Sequence, residues 1–366
     1  MVGFKDLTLR EGSQVPGLHI AEDAGTQVLD HLSSLGVGRV EVSFPRAHAR
    51  ESWYRHADDL GLRTAALARA VPGDIDAALE VAPDEIEVIV TSSDVQLEHA
   101  IGKSRDEARD LLAENVERAV DGGVDAGATL MDAMRADNDF LAATARAAVD
   151  AGAKHVTLAD TTGAGTPEMV TETVEAVAAE LDDDAVIAIH THDDMGVATA
   201  NAAAGVDAGA TEIDATVGGI GERSGNAPLE EVAVLLTERG DEVGIDRDEL
   251  VPVCRAVHET LGVDISPSKP VIGERAYRHE SGMHTAAMLE EPATYEPFTP
   301  DRYGAERALL FGGDTGRGAA RALLTDVGVE PTDERVAAAL DALETAAAER
   351  GEPLDESQAR RVVQER

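Results

Sequence analysis

The chain has 366 residues, with 71 Asp and Glu against 31 Lys and Arg, for a formal net charge of −40. Such a surface repels nucleic-acid phosphates and anionic membranes, which excludes both as expected partners. Apolar residues make up 43% of the chain, enough for a buried core, so global disorder is excluded as well.

The length suits one large α/β domain with a smaller second part. Aromatic residues are only 3%, so the core has to come from Ala, Val, Leu and Ile. Lys5, Lys103, Lys154 and Lys269 are the four lysines, and acidic residues are spread over the whole chain. This reads as the solvated acidic surface of a protein from a high-salt cytoplasm rather than as an acidic ligand-binding face. Cys254 stands alone, the opening Met1-Val-Gly-Phe-Lys-Asp6 has no apolar signal core, and no stretch approaches the ~18 apolar residues of a membrane span. The expectation is a soluble cytoplasmic protein.

Short apolar runs alternate with helical patterns. Strands are predicted at 4–9, 39–44, 63–68, 86–92, 126–131, 155–160, 186–191 and 212–217. Helix patterns lie between them over Ala21–Leu35, Asp74–Val81, Ser104–Gly122, Asn138–Ala151, Pro167–Leu181 and Ala198–Ala208. Leu35-Gly36, Ala151-Gly152 and Ala208-Gly209 look like helix C-caps ahead of a strand. Eight β-α units in the first 245 residues fit a (β/α)8 TIM barrel. An open doubly wound sheet is the rival, weakened because no Gly-x-Gly-x-x-Gly follows the first strand. The remainder divides at 246–310, a linker or subdomain with a helix over Asp246–Leu261 and five prolines between Pro267 and Pro300, and at 311–366, a small helical region with helices over Gly318–Val327, Thr332–Arg350 and Glu356–Arg366.

Closure of a barrel makes strands 7, 8 and 1 neighbours, and barrel enzymes keep their chemistry at the C-terminal ends of strands. Glu11 follows strand 1, His190 and His192 end strand 7, and Gly221-Glu-Arg-Ser-Gly-Asn226 follows strand 8. The i, i+2 spacing turns both imidazoles to one side of the strand and Thr191 to the other. A carboxylate with two neutral imidazoles suits a divalent metal with open positions. Arg10 beside Glu11 is either a surface ion pair or, at a metal site, a partner for a carbonyl or carboxylate gaining negative charge. Both are expected at the strand–loop junction. Asp193 and Asp194 are candidates to orient the imidazoles or are plain surface acids. In His279-Glu-Ser-Gly-Met-His284 the histidines are five apart, not the i, i+4 of a zinc-protease helix, so the segment reads as a source of a general acid or base. The Thr161 hydroxyl after strand 6 is a candidate to hold a carboxylate, or part of an ordinary turn.

The segments DLTLREGSQ, HTHDD, GGIGERSGNAPLEE and HESGMH, in this order over residues 4–320, resemble the acyl-CoA:2-oxo acid condensing enzymes: the isopropylmalate, homocitrate and citramalate synthases. These share a metal-dependent barrel superfamily with hydroxymethylglutaryl-CoA lyase. The resemblance implies Glu11, His190 and His192 as metal ligands, with Asn226 as an additional or near ligand, for Mg, Mn or Zn. It implies Arg10 as the residue stabilising an enolate or alkoxide oxygen, Gln14 and Thr161 as substrate contacts, and His284, or in second place His279, as a catalytic histidine. It further implies acetyl-CoA and a 2-oxo acid as substrates, and a homodimer in which the post-barrel segment serves the partner's barrel. A lyase or aldolase on the same barrel is the alternative activity.

Three departures from the family pattern stand out. Met131-Asp132-Ala133 replaces the usual Glu-Asp-Ala. No arginine stands near Gly127, where many homocitrate synthases have one, which speaks against 2-oxoglutarate. Phe311–Arg317 replaces a more basic segment. Met131 also keeps open a non-catalytic binding protein on the same barrel.

Overall fold

The computed structural model describes residues 1–182 and 185–365. Two compact units emerge: Met1–Asp246 with Val253–Ile265, and Arg247–Pro252 with Ser266–Arg366.

The first unit is a closed barrel of eight parallel strands in sequential order. These are β1 (Gly3–Asp6), β2 (Arg39–Ser43), β3 (Arg63–Arg69), β4 (Glu85–Thr91), β5 (Asp125–Met131), β6 (His155–Asp160), β7 (Val186–Thr191) and β8 (Glu212–Ala215). β8 closes on β1 with Phe4 opposite Ile213 and Asp6 opposite Ala215. β7 pairs β8 with His190 opposite Asp214. The ends of β7, β8 and β1 therefore sit side by side.

The predicted helices are present with ends shifted by a few residues: Glu22–Ser34, Pro72–Glu80, Arg105–Asp121, Asn138–Asp150, Pro167–Ala178 and Ala198–Asp207. Ser104 and Glu107 close a capping box at the start of the third. Gly36, Gly152 and Gly209 carry positive φ just past their helices, the conformation that lets a chain turn out of a helix without a Cβ penalty. Glu51–Asp59 and Leu229–Glu238 are further helices, not among the patterns picked out above.

Two strand predictions need correction. β1 ends at Asp6, not residue 9, because the Asp6 carboxylate accepts both the backbone N–H and the hydroxyl of Thr8 (2.9 and 2.8 Å), starting a short helix over Thr8–Gly12. β8 ends at Ala215, and Val217–Gly219 forms a 3-10 turn with Gly218 at φ 65°.

Side chains alternate along each strand, and the barrel lumen is charged. Lys5 on β1 reaches Glu87 on β4 (3.1 Å), which is possible only across the interior. By alternation Ile86, Val88 and Val90 then face outward, where all three are buried beneath the helices. The apolar core thus lies between strands and helices rather than inside the barrel.

Leu250–Leu261 forms the helix expected over Asp246–Leu261; it belongs to the first unit from Val253 on, and only its opening residues Leu250–Pro252 are assigned to the second. In the second unit, a three-stranded sheet absent from the sequence reading runs β11 (Leu354–Asp355), β10 (Ala308–Phe311), β9 (Arg278–His279). Helices Arg317–Asp326, Asp333–Arg350 and Glu356–Gln364 pack on it through Phe311, Leu323, Leu343 and Val363, all fully buried. The predicted last helix was to include Arg366, which lies outside the described residues.

Candidate active site

Arg10 and Glu11 stand on the helical turn after β1, not on an extended strand–loop junction, and both are buried. Glu41 on β2 accepts the Arg10 Nε–H, and Glu11 accepts from Arg10 Nη1. Two carboxylates thus hold the guanidinium in one orientation.

At the end of β7, His190 Nε2 lies 3.5 Å from Glu11 Oε1 and 3.3 Å from His192 Nε2. Thr191 turns away, its hydroxyl donating to the Ala198 carbonyl (3.1 Å). His192 also bridges to Asn226, whose amide nitrogen stands 3.2 and 3.5 Å from the two Nε2 atoms. A Cβ at Gly221 would come 2.0 Å from Asn226 Oδ1, so only glycine lets the loop close over that amide.

Glu11 Oε2 and Asn226 Oδ1 are buried without a hydrogen-bond partner, and two ring nitrogens face one another across 3.3 Å. Orphaned buried oxygens beside imidazole lone pairs are costly in protein alone. A divalent cation resolves all of them, so Glu11, His190, His192 and Asn226 fit such an ion. Burial by itself would raise the Glu11 carboxyl, but Arg10 and the two imidazoles outweigh it and hold the group below its ordinary value. The His192 imidazole is pushed down to about 4, by burial first and then by neighbouring His190, which keeps it neutral and able to ligate.

The same pocket is lined by Gln14 and Thr161, with an apolar side formed by Leu67, Ile89, Met131 and Ala159. Gln14 Oε1 is 3.4 Å from Arg10 Nη1. Thr161 Oγ1 accepts the Asp132 N–H (2.8 Å), leaving its hydroxyl proton to donate.

Neither Asp193 nor Asp194 orients an imidazole. Asp193 accepts the Ala198 N–H (2.9 Å), and Asp194 pairs with Arg223. The carboxylate at His190 Nδ1 is Asp214 on β8, at 3.3 Å. Sequence reasoning missed both Asp214 and Glu41. Their signal was charged residues two apart in short apolar strands, Arg39/Glu41 in β2, Glu85/Glu87 in β4 and Glu212/Asp214 in β8, which marks a polar lumen.

Glu85, Glu87 and His155 form a second buried group with metal-ligating atoms in reach of one another. Arg39 Nη2 lies 3.2 and 3.1 Å from the two ring nitrogens of His155 and bonds Glu85, so a guanidinium fills the place. In the second unit, His284 stacks on Tyr295 with ring centres 3.8 Å apart, and His279 stands 6.5 Å from His284.

Residues 1–257 match the family model described as HMGL-like, and residues 271–351 match the one described as homocitrate synthase post-HMGL domain-like. The chain is 40% identical over 335 residues to homocitrate synthase AksA of Methanopyrus kandleri, covering 90% of this chain and 84% of that protein. It is 34% identical over 363 residues to the 2-isopropylmalate synthase of Sulfurisphaera tokodaii, covering 98% and 94%. Among solved structures, hydroxymethylglutaryl-CoA lyase from Pseudomonas aeruginosa superimposes with a TM-score of 0.65 at 25% identity, over 72% of this chain and 94% of that one. The two family matches follow one another along the chain as barrel and post-barrel segment, and the relatives are named homocitrate, isopropylmalate and citramalate synthases: the chain belongs to the HMGL-like family, in the group of these synthases.

Proposed function

We propose that this enzyme condenses acetyl-CoA with a 2-oxo acid in a Claisen-type reaction and hydrolyses the thioester, as a 2-isopropylmalate or homocitrate synthase of amino-acid biosynthesis. The observation that carries the reading is the guanidinium of Arg10, fixed by Glu41 and Glu11, beside the group formed by Glu11, His190 and His192. A divalent ion held by these three and Asn226 would supply Lewis-acid polarisation of the 2-oxo acid. Arg10 is placed to hold the negative oxygen that develops when the methyl carbon of acetyl-CoA attacks the ketone. Gln14 and Thr161 offer polar contacts for the substrate carboxylate, and His284, or His279, supplies the proton transfers.

Between the two substrates, the pocket favours the short branched side chain of 2-oxoisovalerate. Leu67, Ile89, Met131 and Ala159 present no cation, Arg10 is engaged by two carboxylates, and Arg223 is paired with Asp194. A second carboxylate, as in 2-oxoglutarate, would be desolvated without a partner. Pyruvate, giving a citramalate synthase, is the alternative. Thiol release from acetyl-CoA is measured with 2-oxoisovalerate, pyruvate and 2-oxoglutarate in high KCl with Mg, Mn or Zn. The highest kcat/KM is expected for 2-oxoisovalerate. Cleavage of a 3-hydroxyacyl-CoA without thiol release would move the protein to the lyases. Activity appearing only after Met131→Glu would move it to the non-catalytic binders.

We also infer a homodimer working in a high-salt cytoplasm, the post-barrel His284 serving the partner's barrel. Among the described residues no helix is long and apolar enough to cross a membrane. Sedimentation as a fully active monomer would remove the dimer.

A further inference from the structure

One of the four lysines is wholly buried in the barrel lumen. Lys5 Nζ lies 3.1 Å from Glu87 Oε2, 3.2 Å from Asp214 Oδ1 and 3.9 Å from Glu41 Oε2. The four residues come from β1, β4, β8 and β2, so this ammonium is a hub across the barrel. Two of its three carboxylates have a second partner in the site. Asp214 stands at His190 Nδ1, and Glu41 accepts from Arg10 Nε. The ammonium donates a hydrogen bond to Glu87, while Asp214 and Glu41 stand at ion-pair distance, so its charge draws three carboxylates toward one point and leaves their other partners in place. Burial would lower the ammonium pKa, but Asp214, Glu87 and Glu41 outweigh it and raise it, so the charge is permanent.

We propose that Lys5 is a positioning residue: its ammonium fixes the carboxylates of Asp214 and Glu41, and through them the ring of His190 and the guanidinium of Arg10. The rival account is that Lys5 only balances buried charge. The catalytic half of the proposal rests on the condensation reading above; the metal half does not.

The test uses the full chain with Glu87→Gln, Lys5→Met and Lys5→Met/Glu87→Gln, each titrated with Mn2+ alone by the loss of the free-ion EPR signal. Lys5→Met leaves buried carboxylates uncompensated and is expected to destabilise strongly. The double variant removes one charge of each sign with near-isosteric side chains, so it is expected to melt cooperatively. If Lys5 positions the site, the double variant binds Mn2+ about 10- to 100-fold more weakly than Glu87→Gln, the range for loss of outer partners of a metal ligand. Its kcat for the accepted 2-oxo acid then falls at least about tenfold, with KM for acetyl-CoA held. An Mn2+ affinity within threefold of Glu87→Gln would overturn the proposal, and so would loss of fold in both Lys5 variants, which would make Lys5 a prop of the barrel. Should the wild-type chain turn over none of the acids, the Mn2+ comparison still decides the role of Lys5.

Discussion

The imidazole of His190 is held from both sides: Nδ1 stands 3.3 Å from the Asp214 carboxylate, and Nε2 stands 3.5 Å from Glu11. Burial would raise the Asp214 carboxyl, but Lys5 and then His190 outweigh it and keep it below its ordinary value. An ionised Asp214 accepts the Nδ1 proton and leaves the Nε2 lone pair free toward Glu11 and His192. Asp214→Asn is therefore expected to weaken divalent-metal binding about tenfold or more while the barrel stays folded. Equilibrium dialysis with a melting curve checks both.

His192→Ala is expected to lose metal and turnover together. A divalent ion is expected to stabilise the wild-type chain by about 2.7 kcal/mol at a hundredfold excess over the dissociation constant, and this gain should vanish in the variant. Thermal melts with and without the ion, after chelation, read it directly. Normal turnover of His192→Ala at matched metal and salt would count heavily against the site.

Gly127 on β5 has no room for a side chain. A Cβ there would come 2.1 Å from His155 Cε1 and 2.7 Å from Glu87 Oε2. Gly127→Ala is expected to cost about 1–3 kcal/mol, the usual range for overpacking, read as a lower urea midpoint. The clash also explains in steric terms why an arginine near this position is incompatible with the His155–Glu87 pair (2.7 Å).

Asp6 is a fully buried carboxyl pushed up to about 7 by burial, against the hydrogen bonds from Thr8 and with a further push from Glu230. In the unfolded chain it titrates at the ordinary aspartate value near 3.8. The folded form therefore binds the extra proton between those values. The associated stability is complete below about 4 and is lost as the pH rises through about 7. Relative to Asp6→Asn, which cannot ionise, the wild-type chain should lose about 1.4 kcal/mol per pH unit over this window. Urea unfolding at pH 5, 6, 7 and 8 at fixed salt measures the difference; a gap that does not change with pH would show that Asp6 titrates like an exposed carboxyl.

Much of the architecture was legible before the structure. The apolar runs of β2 to β7 alternate with helical periodicity, and Gly36, Gly152 and Gly209 mark the exits from helices. These are local signals, written in neighbouring residues. β1 was read too long because Leu7 and Leu9 continue its apolar pattern, whereas the hydrogen bonds from Thr8 to Asp6 end the strand.

The site divides in the same way. The i, i+2 histidines and the Arg10-Glu11 pair could be found in the chain because their spacing is short. The barrel, the acidic surface and the pairing of a carboxylate with two imidazoles are all written in local residue patterns. Which carboxylates serve them is visible in three dimensions alone: Asp214 rather than Asp193 or Asp194, Glu41 behind Arg10, and Lys5 between them. The cause is closure of the sheet. It brings inward side chains of β2, β4 and β8 within about 4 Å of the Lys5 ammonium on β1, although they lie as many as 209 positions from it along the chain. Distances of that kind are set by strand register and lumen geometry, which no local pattern records.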